Sequence, residues 1–344
     1  MIRIFFDHQS KIEKNLWENR FFSLLTNTLK KEAIFQIITS NTIDESINIL
    51  NDNTSFDIFC PTGLNKYYLK YLKSDKKLCL FITDMIYELF GETATSFLSE
   101  IDSYVKNKAE QIMLSARIIF PSNDVKTHFD KFYNVFEHIL HLQYKVRVLP
   151  YFIDIPILQE KPIIDNQPYI LYTNYRIDLI DYHLLNKTLY TIKDWLKENN
   201  IKFILTGISY NSELDHIIKT NDLEDYVILY DYKDIEELNN LYQFAICQIC
   251  PEIIDSFGYN ILEGYVNNCL TMLNTDNIIY YNIAKNNGIY FSFNDLVEKL
   301  NVIINIDNNS FDELINRQKE SLSDYLTPNI FNLYKNMFKE LYAE

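Results

Sequence analysis

The stretch PEIIDSFGYNILEGYVNNC, residues 251–269, holds the residues best placed to do chemistry. A strand-like run ends at Cys250, a loop carries Asp255 and Ser256, and Phe257-Gly258 opens an apolar helical pattern containing Glu263. Backbone N–H groups at such a helix start can hold a phosphate or sugar oxygen without a glycine-rich loop. Gly258 then marks where backbone comes close to a ligand. Asp255 and Glu263 are eight positions apart, one in the loop and one in the helix, so both can reach one bound molecule from different heights. The plainer alternative, in which Asp255 caps the helix and Glu263 is solvated, stays open on spacing alone.

Other chemistry is thinly represented. The six glycines (63, 91, 207, 258, 264 and 288) never form G-x-G, which excludes a dinucleotide fingerprint, a P-loop and a kinase glycine loop. Cys247 and Cys250 form a CxxC, but no second pair or histidine cluster completes a zinc site, and the run FAICQIC reads as a buried strand. An odd, sparse set of five cysteines fits a reducing compartment. His8 stands at the end of the first strand-like run, where a donor or acceptor group can approach, and the remaining histidines show no metal spacing.

The elements that must position these residues are strand-like runs of four to eight residues separated by longer helical patterns. They are 2–7, 33–40, 56–61, 78–84, 117–122 and 146–151 in the first half, and 169–174, 202–207, 226–231, 244–250, 270–274 and 288–292 in the second. Such alternation is the pattern of parallel βαβ units and predicts two doubly wound α/β domains. A chain of 344 residues also exceeds one ordinary core. Three prolines and no helical period over 152–168 mark the join. Near the end, Ile330, Phe331, Tyr334, Met337, Phe338 and Leu341 share one helical face, which must be buried.

In open parallel sheets ligands sit beyond the carboxyl ends of the strands. The residues there include His8, Asp84, Arg176, Gly207, Tyr232 and the stretch 251–263. The net charge of −15 falls on the second half: residues 1–150 hold 18 basic against 18 acidic side chains, and residues 151–344 hold 14 against 29. Neither half offers the basic surface that nucleic-acid binding needs. No apolar run is long enough to span a bilayer and the N-terminus reads as a strand, so a cytoplasmic chain is expected. Lys66, Lys70, Lys73, Lys76 and Lys77, interleaved with tyrosines and leucines, read either as a solvated helix or as a peripheral contact with the inner face of a membrane.

Asp255-Ser256-Phe257-Gly258 through Glu263 resembles the E-x7-E motif of GT-B glycosyltransferases of the glycosyltransferase family 4 type, with Asp for the first Glu. The likeness runs along nearly the whole chain. FFDHQS resembles the family's opening strand, FDIFCPT and LCLFITDMIYELF its "HPT" and "HDM" segments, and ELNNLYQFAICQICPEIIDSFG the approach to its donor site. The mannosyl- and rhamnosyl-type transferases of bacterial surface polysaccharide synthesis are the most similar in pattern.

The resemblance implies a GT-B fold with an inter-domain cleft: residues 1–152 as a Rossmann-like acceptor domain, 153–325 as a Rossmann-like nucleotide-sugar domain, and 326–344 as a helix packing back on the first. It implies retaining sugar transfer from a nucleotide-sugar to a glycan, lipid-linked saccharide or protein, with no obligatory cofactor or metal. Carried over by position, Glu263 holds the donor ribose, Asp255 contacts the transferred sugar, and Arg176 contacts the diphosphate. Ser256, Phe257, Gly258 and Gly207 line the donor, Tyr232 lies where the base is met, Asp84 keeps half of the "HD" pair, and His8 and Arg20 fall on the acceptor side. The chain departs from the family at Leu16-Trp17, where two glycines are usual, at Cys60 and Thr83, where histidines are usual, and at Ile180, where the diphosphate lysine is usual; Lys187 is the next lysine. These departures leave a second reading: a catalytically degenerate GT-B protein that binds glycan or serves an active partner glycosyltransferase.

Overall fold

The computed structural model describes the chain except residues 8–16, 41, 53, 62–70, 74, 83–110, 113, 134–144, 160, 165–166, 174–181, 209, 233 and 254–256. For 17–19, 43, 128 and 278 it describes backbone only. His8, Asp84, Arg176, Asp255 and Ser256 therefore lie outside the described residues, as do Leu16, Thr83, Ile180, Lys66, Lys70 and the Trp17 side chain. The chain divides into two compact units, Met1–Phe152 with Thr327–Glu344, and Ile153–Leu326.

The first unit is built on β1 (Ile2–Asp7), β2 (Phe35–Thr39), β3 (Ile58–Pro61), β4 (Lys77–Phe81), β5 (Arg117–Phe120) and β6 (Val146–Val148), all parallel, in the order β2-β1-β3-β4-β5-β6. The chain reverses its direction of travel across the sheet between β1 and β3. Helices α1 (Trp17–Lys30), α2 (Ile43–Asn51) and α3 (Asn123–Tyr133) belong to this unit. Its core is aromatic: Phe21 touches Phe22, Phe81, Tyr151, Phe152 and Tyr334 with ring centroids 4.3–6.3 Å apart. Edge-to-face and tilted arrangements dominate, as the ring quadrupoles favour.

The helical face read near the end of the chain is buried as its spacing requires. The last helix, Thr327–Ala343, buries Ile330, Phe331, Tyr334, Met337, Phe338 and Leu341 in the first unit. Phe338 meets Phe6 and Phe35, and the Tyr334 hydroxyl donates to the Leu149 carbonyl at 3.0 Å. Lys77 Nζ donates to the Leu341 carbonyl at 2.6 Å, satisfying the carboxyl end of this helix and its dipole. Lys76 Nζ donates to the Phe56 carbonyl at 2.8 Å. These two lysines of the basic tyrosine-rich run thus hold backbone within the unit.

The second unit uses β7 (Tyr169–Thr173), β8 (Lys202–Thr206), β9 (Val227–Tyr230), β10 (Cys247–Cys250), β11 (Thr271–Asn274) and β12 (Ile289–Phe291), again all parallel, in the order β12-β11-β10-β7-β8-β9. The helices between them are α4 (Tyr182–Asn199), α5 (Ser212–Thr220), α6 (Ile235–Phe244), α7 (Tyr259–Val266), α8 (Ile278–Ala284), α9 (Leu296–Ile304) and α10 (Asn308–Glu320), which makes Thr327–Ala343 α11. One sheet face is aliphatic and aromatic: Ile170, Tyr172, Phe203, Leu205, Cys247, Ile249 and Met272 join a core with α4, α5 and α9. Alternation sends Thr173, Thr206, Gln248, Cys250 and Thr271 to the other face.

Among the described residues, the proline-bearing join forms no helix and no strand beyond a single bridge at Ile153. Ile153 bridges Leu326, Ile163 N–H donates to Asn240 Oδ1 at 2.8 Å, and Asn240 Nδ2 donates to the Lys161 carbonyl at 2.7 Å. Two side-chain amide groups of α6, the second being Gln243 on the Gln159 N–H, thus replace the sheet ladder that the prolines forbid.

Candidate functional site at the switch point of the second unit

The strand order sets the site. β7 and β10 are neighbours, and the connections leaving them run to opposite sides, the arrangement that opens a crevice beyond their carboxyl ends. β7 ends at Thr173, three residues before Arg176, and β10 ends at Cys250, five before Asp255. The loop after β10 is anchored at its start: Asn274 Nδ2 donates to the Pro251 carbonyl at 2.7 Å, Asn277 Nδ2 to the Glu252 carbonyl at 3.1 Å, and the Tyr280 hydroxyl to Glu252 Oε2 at 2.7 Å.

Helix α7 begins at the end of that loop from Gly258, which is left-handed at φ 74°. The left-handed backbone demands glycine, and a Cβ there, 2.7 Å from Ile283 Cδ1, would also have to push that side chain end aside. Helices α2, α5, α6 and α10 are closed by the side-chain oxygen of their own cap, Thr42, Asn211, Asp234 and Asp307. Gly258 has no such side chain, and a helix start of this kind can hold an anion through its backbone N–H groups. Phe257 beside it is buried against Tyr325, ring centroids 5.8 Å apart.

Glu263, in the second turn of α7, is only 2% exposed, which removes the solvated alternative. A buried carboxyl needs donors. The Tyr242 hydroxyl of α6 donates to Glu263 Oε2 at 3.2 Å and lies 2.9 Å from Thr173 Oγ1, and Gln248 Nε2 donates to Thr173 Oγ1 at 3.1 Å. Thr271 Oγ1 in turn donates to Gln248 Oε1 at 3.2 Å. Gly264 makes room for this row: a Cβ on it would lie 2.3 Å from Thr271 Oγ1 and 2.6 Å from Gln248 Oε1.

Gly207, left-handed at φ 74°, follows β8 at the same end of the sheet, directly after Thr206, whose hydroxyl is buried with no hydrogen-bond partner among the described residues. Tyr232 follows β9 and is buried, its ring covered by protein. Lys187 lies on exposed helix surface with its ammonium 4.1 Å from the Phe293 ring centroid. Cys247 and Cys250, three apart on one strand, point to opposite faces: Cys247 Sγ meets Met272 Sδ at 3.9 Å and Cys250 Sγ meets Asn260 Nδ2 at 3.5 Å. Burial pushes the Cys247 thiol up to about 12.

In the first unit the corresponding switch point holds Asp7, buried at the end of β1. Its Oδ1 accepts from Ser46 Oγ at 2.7 Å and Ser40 Oγ at 3.1 Å. Arg20 is half-buried on α1. Cys60, at a position where the sequence resemblance leads one to expect histidine, is fully buried on β3; burial first, then hydrogen bonding with Cys79, raise its thiol well above the ordinary range.

Sequence reading missed Tyr242, Thr173 and Gln248. The one available signal was Gln248, an unaccompanied amide in an apolar strand.

No protein-family model matches this chain, and no curated protein matches it in sequence. Solved structures do match in fold. HepE from Anabaena, in complex with UDP and glucose, superposes with a TM-score of 0.70 over 99% of this chain and 100% of its own, at 12% identity. Sucrose-phosphate synthase from Thermosynechococcus elongatus gives 0.73 over 100% of both chains at 11% identity. WaaG, a glycosyltransferase involved in lipopolysaccharide biosynthesis, gives 0.69 over 98% and 99% at 13% identity. The fold is therefore GT-B: two Rossmann-like, doubly wound α/β domains.

Proposed function

We propose that this chain is a glycosyltransferase that takes its sugar from a nucleotide-sugar bound at the switch point of the second unit. The observation that carries the reading is the buried Glu263 carboxyl on a glycine-capped helix at that point, in a fold whose solved neighbour HepE holds UDP and glucose. Glu263 takes the ribose hydroxyls, Arg176 and the start of α7 face the diphosphate, and Asp255 contacts the transferred sugar. Ser256, Phe257, Gly258 and Gly207 shape the donor site, and Tyr232, its ring covered by protein, supports the base end of the site from behind instead of stacking on the base. The first unit supplies the acceptor side through His8, Arg20 and Asp84.

The physical requirement is charge. As the glycosidic bond breaks, the nucleotide diphosphate gains negative charge, and fixed donors at that place lower the barrier. An arginine and a helix start meet this need without an obligatory metal, and transfer proceeds with retention. The acceptor is a glycan, a lipid-linked saccharide or a protein, in surface-glycan synthesis on the cytoplasmic side of the membrane. Among the described residues no helix is long and apolar enough to cross a bilayer, and the proposed membrane contact is peripheral.

Thermal unfolding with UDP, GDP, CDP and their sugars tests the reading. A ligand at a hundred times its dissociation constant adds about 2.7 kcal/mol to the native state. One nucleotide should raise the Tm, and Glu263→Ala should abolish that rise. If every nucleotide leaves the Tm unchanged, the enzyme reading fails.

The fully buried Cys60 thiol favours a second reading, since that position cannot present a side chain to sugar as the family histidine does. In it the chain keeps the donor fold as an accessory subunit of an active partner glycosyltransferase. Nucleotide binding without transfer to any acceptor would support it.

A further inference from the structure

We infer that Tyr242, backed by Thr173 and Gln248, is a positioning residue that fixes the orientation of the Glu263 carboxyl toward the hydroxyls of the donor. This rests on the nucleotide-sugar reading and adds to it a row of residues on three separate elements. Tyr242 is fully buried, and so is Gln248.

The direction of the row follows from counting protons. A tyrosine hydroxyl has one hydrogen, and here it goes to Glu263 Oε2. At the 2.9 Å contact Thr173 must then be the donor and Tyr242 the acceptor. Having given its own hydrogen, the Thr173 oxygen accepts from Gln248 Nε2. The Gln248 oxygen faces the Thr271 hydroxyl at 3.2 Å, whose one hydrogen is shared with the Cys269 carbonyl at 3.1 Å. From Gln248 through Thr173 to Tyr242 each group points a hydrogen toward Glu263, so along these three each bond polarises the next.

The consequence for binding is specific. A carboxyl buried on a helix has rotamers to choose among, and an incoming vicinal diol needs its oxygens in one plane. Tyr242 holds Oε2 and so fixes the plane in which the carboxyl meets the ligand. Removing the tyrosine hydroxyl should weaken binding only of ligands that carry the hydroxyls Glu263 receives.

The test compares UDP, GDP and CDP with their 2′,3′-dideoxy forms by calorimetry on the intact protein. Wild type should prefer the ribose form of the base it binds. Tyr242→Phe should reduce that preference about tenfold, the worth of one hydrogen bond to a charged group, while affinity for the dideoxy form stays unchanged. Thr173→Val, which removes the donor behind Tyr242, should act in the same direction by about threefold. Equal losses for both ligand forms, or an unchanged preference in Tyr242→Phe, would assign the tyrosine to packing and overturn the inference. If wild type binds a nucleotide but ignores its ribose hydroxyls, the inference fails and the nucleotide reading stands. If it binds none of the three, both fall.

Discussion

The two units share a parallel six-stranded architecture but fill it differently. In the first, the space between sheet and helices is taken by Phe6, Phe21, Phe22, Phe81 and Tyr334 in contact with one another. In the second, one face is apolar, whereas the other carries an interior row of hydroxyls and amides leading to Glu263. Each unit also buries a carboxyl at its switch point. Asp7 is met by two serines from neighbouring segments, and Glu263 by a tyrosine at the end of a longer row. The aromatic cluster of the first unit packs without a direction of its own, its hydrogen bonds lying at helix ends and strand ends around it. A row of oriented hydrogen bonds contributes less per group but fixes direction, which a ligand site requires.

The sharpest way to break this contrast uses the two tryptophans, Trp17 in the first unit and Trp195 in the second. Tyr334→Ala should cost about 3–5 kcal/mol through the cavity it leaves among Phe21, Phe81 and Phe152. Urea unfolding followed at Trp17 in a Trp195→Phe background should show that loss, and the Trp195 transition in a Trp17→Phe background should not move. Equal shifts at both would mean that the two cores are one energetic unit. A smaller effect, about 1–3 kcal/mol, is expected for Gly264→Ala, whose new methyl strikes Thr271 and Gln248. It should appear at Trp195 and also reduce the nucleotide-induced rise in Tm; loss of stability with full nucleotide response would separate the row from the site. The smallest change sharpens the contrast instead. Thr206→Val removes a buried hydroxyl without a partner among the described residues and should stabilise the free protein by about 1 kcal/mol. A destabilised variant in thermal melts would show that this hydroxyl already serves the second unit's polar face.

Much of the scaffold was legible because it depends on short-range pattern. All twelve apolar runs are strands, and the spacing of Ile330 to Leu341 gave the buried face of α11. Strand ends were less legible: the run 146–151 stops being strand at Val148, ahead of Pro150, and the run 244–250 begins pairing only at Cys247, because α6 extends through Phe244. Within the site, Glu263 and Gly258 could be chosen from the local motif. The row behind Glu263 could not, since Thr173, Tyr242 and Gln248 meet only when β10 is laid beside β7, and that adjacency is a property of strand order. Gly264 likewise reads as an ordinary helix glycine until the Gln248 and Thr271 side chains are placed under it.

Helix α11 has a consequence for the order in which this chain is made. The first unit needs Tyr334 and Phe338 for its core, yet those residues follow the whole of the second unit in sequence. At about 5–20 residues per second on the ribosome, the first 152 residues wait roughly 10–35 seconds before their last helix emerges. Phe6, Phe21 and Phe81 stay without that cover while residues 153–326 are complete and able to fold. The unit with the less polar interior is thus the one a nascent-chain chaperone would hold longest.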